Sequence, residues 1–151
     1  MNYKLLFIFF LFMSIGTISF AQTALVKDED AVKEVINNMF TAMKNSDTIL
    51  LKTCFSNSVV FQTVVSKSEF VNVKDESLND FINSIGKQPV GSLDERIQFD
   101  LVKVNKDLAI AWTPYTFYYK GKYSHEGVNS FQLVKYKGGW KIQYLIDTRY
   151  K

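Results

Sequence analysis

The chain holds one cysteine, one histidine and two prolines, and its charges never gather into a block of one sign. Each scarcity excludes a class of protein. A lone cysteine cannot close an intrachain disulfide. Cys54 has Leu50, Leu51 and Phe55 as neighbours, so it is expected as a buried, inert thiol, with an intermolecular disulfide as the alternative. One histidine and one cysteine give no metal-ligand spacing, so no metal is expected. No glycine-rich phosphate loop, nucleophile elbow or dinucleotide fingerprint is present, and no cofactor is implied. The net charge of +3 is spread along the chain, which argues against nucleic acid as a partner. Internal repeats, low-complexity tracts and Pro/Gly linkers are also missing beyond the N-terminal segment, as in a single domain.

Hydrophobic residues are plentiful, at 47% of the chain, with 13 Phe, 8 Tyr and 2 Trp. The first 22 residues, MNYKLLFIFFLFMSIGTISFAQ, carry an early lysine, an apolar block from Leu5 to Ile18 and small residues before Gln22. That order is expected of a cleaved signal peptide, residues 1–21. A membrane anchor needs roughly 20 apolar residues, more than this block supplies. The expectation is therefore a periplasmic or secreted domain, residues 22–151, with no membrane association after cleavage.

Periodicity predicts the elements. Val32, Val35, Ile36, Met39, Phe40 and Met43 form one helical stripe between Asp28 and about Asn45. A short second helix follows, with Asp47 as its cap. The run SVVFQTVVSKSEFVNV reads as a hairpin. KDESLNDFINSIGKQP reads as a third helix ending near Gly86. Four strands complete the chain as a meander: DERIQFDLVKVN, LAIAWTPYTFYY, YSHEGVNSFQLVKY and WKIQYLIDTR. The fold class is α+β.

Register decides which side chains meet. Three-residue turns at Lys120–Lys122 and Lys137–Gly139, with Gly139 left-handed, would set Tyr119 opposite Tyr123 and Tyr136 opposite Trp140. Tyr115 would then face Gly127, Thr113 would face Asn129, and Asn129 would face Asp147. Thr113, Tyr115, Phe117, His125, Asn129, Asp147 and Arg149 would share one face. Ile110, Trp112, Val128, Trp140, Ile142, Tyr144 and Ile146 would share the other. Two-residue turns would break this arrangement.

The motifs AWTPYTFYYKGKYSHEGVNSF, GWKI and DTR, preceded by helices, resemble uncharacterised secreted bacterial members of the nuclear-transport-factor-2-like superfamily, which also contains ketosteroid isomerases, polyketide cyclases and scytalone dehydratase. The resemblance runs from about Ala24 to Lys151. It implies a cone: a curved antiparallel sheet wrapped around the N-terminal helices, with a pocket at the open end. It also implies a small apolar or aromatic ligand; the homodimer through the sheet face is expected because both faces of the late sheet are partly apolar, one for the helices and one for a second subunit. The catalytic members' residue sets are incomplete here, since no second histidine exists and no pair of acids is placed beside Tyr115.

Two readings of the polar cluster stand side by side. In one, His125 is a general base, Asp147 orients it, Tyr115 donates to a developing oxyanion and Arg149 binds an anionic group. In the other, Asp147 and Arg149 form a structural ion pair and His125 donates to a backbone carbonyl. Asn129, Thr113, Phe117, Met39 and Met43 are the candidate ligand-lining residues. Three functions are open: a small-molecule-binding domain, an isomerase-, cyclase- or dehydratase-type enzyme, and an interaction module with a filled pocket. Trp112 and Trp140 are expected in the core or at a dimer interface.

Overall fold

The computed structural model describes residues 25–67 and 70–150, so the signal segment expected over residues 1–21 lies outside the described residues. Helix α1 occupies residues 25–45, and its buried stripe is Val32, Ile36, Met39, Phe40 and Met43. Helix α2, Thr48–Cys54, is capped by Asp47, whose carboxylate accepts from the amides of Ile49 and Leu50 at 3.0 and 2.9 Å. This satisfies two of the donors that a helix start leaves unpaired. Helix α3, Leu78–Gly86, is capped by Ser77. None of the helices among the described residues is long and apolar enough to cross a membrane.

Seven strands follow in chain order among the described residues: β1 Phe55–Lys67, β2 Phe70–Asp75, β3 Leu93–Ile97, β4 Leu101–Asn105, β5 Leu108–Tyr119, β6 Lys122–Tyr136 and β7 Gly139–Thr148. They form one curved, unclosed sheet in the order β2-β1-β7-β6-β5-β3, with β4 also on β5. The sheet is mixed, which corrects the wholly antiparallel expectation. β1 leaves α2 and runs parallel to β7, because β2, α3 and the β3–β6 meander between them supply the long connection that parallel pairing requires. The expected strand DERIQFDLVKVN is two strands. It breaks at Gln98–Asp100, where the amides of Gln98 and Asp100 still bond to Pro114 and Trp112.

Both late turns depart from the expected pairing, and both departures are undone a few residues later. Tyr119 pairs with Lys122, not Tyr123, and then a bulge at Ser124 brings Phe117 opposite His125. Tyr136 pairs with Gly139 and Lys135 with Trp140, and then a bulge at Gln143 brings Gln132 opposite Tyr144. Gly139 does take the left-handed conformation, with φ 103°, as a glycine at a hairpin bulge should. Beyond the bulges Tyr115 faces Gly127, Thr113 faces Asn129 and Asn129 faces Asp147. An extra residue adds one to the register and reverses the side-chain alternation. The bulge at Gln143 therefore turns Trp140 and Ile142 to the same side as Leu145, where they are 4%, 0% and 3% exposed. This corrects their assignment to the opposite face.

The inner face of the sheet is layered. The rows Val104–Ala109–Leu133–Ile142 and Val102–Ala111–Phe131–Leu145 join the core formed with the helices. Small residues on β5 sit beside large ones on β6, and Phe131 meets Phe40 of α1 edge to face, with centroids 6.3 Å apart. Cys54 is buried in this core, as expected, with Sγ 3.4 Å from the Leu50 carbonyl, and burial pushes its thiol pKa up. The outer face keeps Ile110 and Trp112 at 40% and 46% exposure.

The two tryptophans should therefore separate in stability measurements. Trp140→Ala removes a buried ring and its Nε1 bond to Asp28, and is expected to cost about 3–5 kcal/mol in urea denaturation. Trp112→Ala is expected to cost less than about 1 kcal/mol. Equal costs would contradict the placement of the two rings.

Candidate functional site

Toward one end of the sheet the inner rows turn polar. Thr113, Asn129, Asp147 and Thr63 lie side by side across β5, β6, β7 and β1. All four are buried. Asp147 accepts from the Thr63 hydroxyl and, at 2.8 Å, from Arg149 Nε. Arg149 also reaches Thr63 Oγ1 at 3.4 Å. A carboxylate taken out of water is tolerable when it is paired and hydrogen-bonded in this way. Asp147 and Arg149 thus make the structural ion pair that was one of the two readings of this cluster.

The next row is Tyr115 beside Gly127. The C-terminal segment crosses here, with Tyr150 bridging to Glu126. A Cβ on Gly127 would lie 1.9 Å from the Thr148 carbonyl oxygen and 2.8 Å from the Tyr115 ring. Only glycine admits that approach. The Tyr115 hydroxyl donates to the same carbonyl at 2.9 Å. In this arrangement the hydroxyl expected as an oxyanion donor is directed at the backbone. Burial raises the Tyr115 pKa, and the charges of Glu95 and Asp147 raise it further.

Beyond lies the row Glu95–Phe117–His125. The bulge at Ser124 places that serine's hydroxyl 3.0 Å from His125 Nδ1. The imidazole stands edge-on to Tyr115, with centroids 5.7 Å apart, and lies tilted over Phe117 at 5.0 Å.

These rows form one wall of a cavity of about 410 Å³, and α3 and the preceding Glu76 help to form the other. Met43, Tyr115, Phe117, His125, Asp147 and Arg149 line it, together with Phe61, Phe81, Ile85 and Leu93 on the apolar side and Glu76, Asp80, Ser84 and Glu95 on the polar side. Two expected lining residues lie elsewhere. Met39, 2% exposed, and Thr113, 0% exposed, belong to the packed interior, because the apolar rows under α1 close before the cavity begins. Asn129 stands behind the wall and acts through Glu95, donating to its Oε1 at 2.9 Å.

Glu95 is the residue the sequence reading missed. It is partly buried and lines the cavity. Burial pushes its carboxyl up from the ordinary 4.5 to about 7. The Asn129 hydrogen bond opposes that rise, the Asp147 charge adds to it and the Arg149 charge opposes it. The imperfect alternation across DERIQFDLVKVN was the available signal. The break at Gln98–Asp100 shifts the register between β3 and β4, so Glu95 pairs with Phe117 while Val102 pairs with Ala111. An uninterrupted strand could not place both on the inner face.

Between pH 4.5 and about 7 the folded chain holds a proton on Glu95 that the unfolded chain has released. Stability is expected to fall as pH rises through that window, by up to roughly 3 kcal/mol from this group, and to level off above it. Glu95→Gln should flatten the decline in a series of urea denaturations, and an unchanged slope would contradict the burial of this carboxyl. Gly127→Ala should lower the melting temperature sharply, since the crossing C-terminal segment must move. A melting temperature equal to that of the unmodified chain would contradict the close approach.

No protein-family model matches the chain, and no curated protein matches it. Solved structures do. An NTF2-like protein with a cystatin-like fold from Novosphingobium aromaticivorans superposes with a TM-score of 0.68 at 13% identity, covering 89% of this chain and 90% of its own. An NTF2-like protein of unknown function from Shewanella baltica gives 0.66 at 15% identity, covering 83% and 96%. A domain of unknown function with a cystatin-like fold from Nostoc punctiforme gives 0.66 at 19% identity, covering 83% and 78%. At such identities the likeness is one of fold, and it agrees with the element order and the open sheet described above. The chain is an α+β cone with the nuclear-transport-factor-2-like fold.

Proposed function

We propose that this chain is a small-molecule-binding domain whose ligand occupies the cavity between α3 and the inner face of the sheet. The observation that carries the proposal is the cavity itself. Its volume of about 410 Å³ falls within the range of sites for small organic ligands. Phe61, Phe81 and Phe117 offer an apolar body its contacts, and a few polar groups converge at one end. The space speaks against an interaction module whose pocket is filled by its own side chains. The lining is more polar than the mostly apolar pocket expected from the sequence.

A second reading, an isomerase-, cyclase- or dehydratase-type enzyme, is favoured by Glu95. A carboxyl with a pKa of about 7 can give and take a proton at neutral pH. In that reading Glu95 and His125 are the proton-transferring groups, and Tyr115 shapes the wall. Two further parts of the proposal rest on less. Export to the periplasm or beyond rests on the N-terminal segment. A homodimer through the outer face rests on the exposed Ile110 and Trp112.

Native mass spectrometry of the protein purified gently from its own host tests the binding reading and records the oligomer in the same spectrum. An added mass is expected on the unmodified protein. It should be lost in Ser84→Trp, where a large ring enters the cavity from an exposed position on α3. A bare protein, or an added mass that survives in Ser84→Trp, would overturn the assignment of this cavity. A monomer would overturn the outer-face dimer.

A further inference from the structure

The charge of the cavity reverses the ligand sign that Arg149 alone suggests. Four carboxyl groups face the space: Glu76 and Asp80 at the start of α3, Glu95 on β3 and Asp147 on β7. Two basic groups, Arg149 and His125, stand against them. Among the described residues, with both bases protonated and Glu95 neutral the cavity holds three carboxylates against two cations, and once Glu95 ionises above pH about 7 it holds four. Arg149 is also engaged already, by Asp147 at 2.8 Å and by Thr63 at 3.4 Å. A carboxylate or phosphate entering the cavity would have to share Arg149 with Asp147 and would meet the remaining acids.

The acids are available in different degrees. Glu76 is paired with Lys74 at 2.9 Å, but that lysine is 62% exposed and its attraction is screened by water. Glu95 accepts from Asn129 through Oε1, which leaves its second oxygen for a ligand. Aromatic rings line the same cavity as these carboxyls. Phe61 and Phe81 meet edge to face at 5.1 Å, and Phe117 lies on the opposite strand wall. Ring faces attract cations, most strongly where water is excluded. Acidic groups and aromatic faces in one cavity favour the same partner.

We propose that the ligand of this cavity is a protonated amine on an aromatic or aliphatic body, its body against the phenylalanines and its ammonium group among Glu76, Asp80 and Glu95. The proposal rests on the binding reading above and adds the charge of the ligand to it. A cation arriving beside Glu95 favours the ionised carboxyl.

The test compares three probes that differ at one end: 3-phenylpropylamine, 3-phenylpropan-1-ol and 3-phenylpropanoate. Binding to the full chain is followed by NMR shifts of amides lining the cavity, in mildly alkaline buffer. The amine is expected to bind at least roughly tenfold more tightly than the alcohol, and the carboxylate more weakly than either. Asp80→Asn changes an exposed helix position and should narrow the ratio of amine to alcohol. An alcohol or carboxylate that binds as tightly as the amine would overturn the cationic ligand while leaving the cavity as a binding site. Failure of all three probes to shift any cavity amide would overturn the binding reading, and this inference with it.

Discussion

Side chains alternate along a strand with a period of two, so a slip of one residue between β5, β6 and β7 would turn the cavity wall outward and the solvent face inward. Everything at the polar end of this molecule depends on that register. The hairpin turns are tight, and alone they would set the strands one residue out. Bulges at Ser124 and Gln143 add the missing residue on β6 and on β7. Each also has a local effect: Ser124 stands beside the His125 imidazole, and the bulge at Gln143 lets Trp140 and Ile142 share the core with Leu145.

With the register set, the inner face passes from one chemistry to another in successive rows. Under α1 the rows are alanine, leucine, phenylalanine and isoleucine, and they close into a dry core. One row further, Thr113, Asn129, Asp147 and Thr63 bring polar groups into the interior. Asp147 is held there by Arg149 and Thr63. Gly127 then lets the C-terminal segment and the Tyr115 ring close over the sheet. The cavity begins where helix packing ends and α3 stands over the strands. This geometry explains why Met43 reaches the space and Met39, one turn earlier on the same stripe, does not.

The electrostatics follow from burial. Glu95 and Asp147 line one cavity with Arg149. Asp147 has the ion pair, and Glu95 has a neutral amide donor in Asn129. Burial holds the proton on Glu95 to higher pH, and the Asn129 hydrogen bond only partly offsets it. Arg149, which suggests an anion site when read alone, is paired with Asp147 in the cavity wall.

Much of this was legible in the amino-acid sequence. The helical stripe from Val32 to Met43, the Asp47 cap, the hairpin and the late strands follow from local periodicity and turn chemistry, whereas the expected pairing of Tyr115, Asn129 and Asp147 is reached only through the two bulges. These signals act over a few residues and are written in residue type. The break at Gln98–Asp100, the two bulges and the parallel β1–β7 pair were decided by tertiary structure alone. Each depends on how the sheet must bend and close around the helices, and no single strand's pattern records that. Glu95 enters the site through the break, and the ion pair of Arg149 is completed by Thr63 on a strand 86 residues away in sequence. Local sequence thus determined the elements and most of their faces; the cavity, its charge and the carboxyl at its end came from long-range packing.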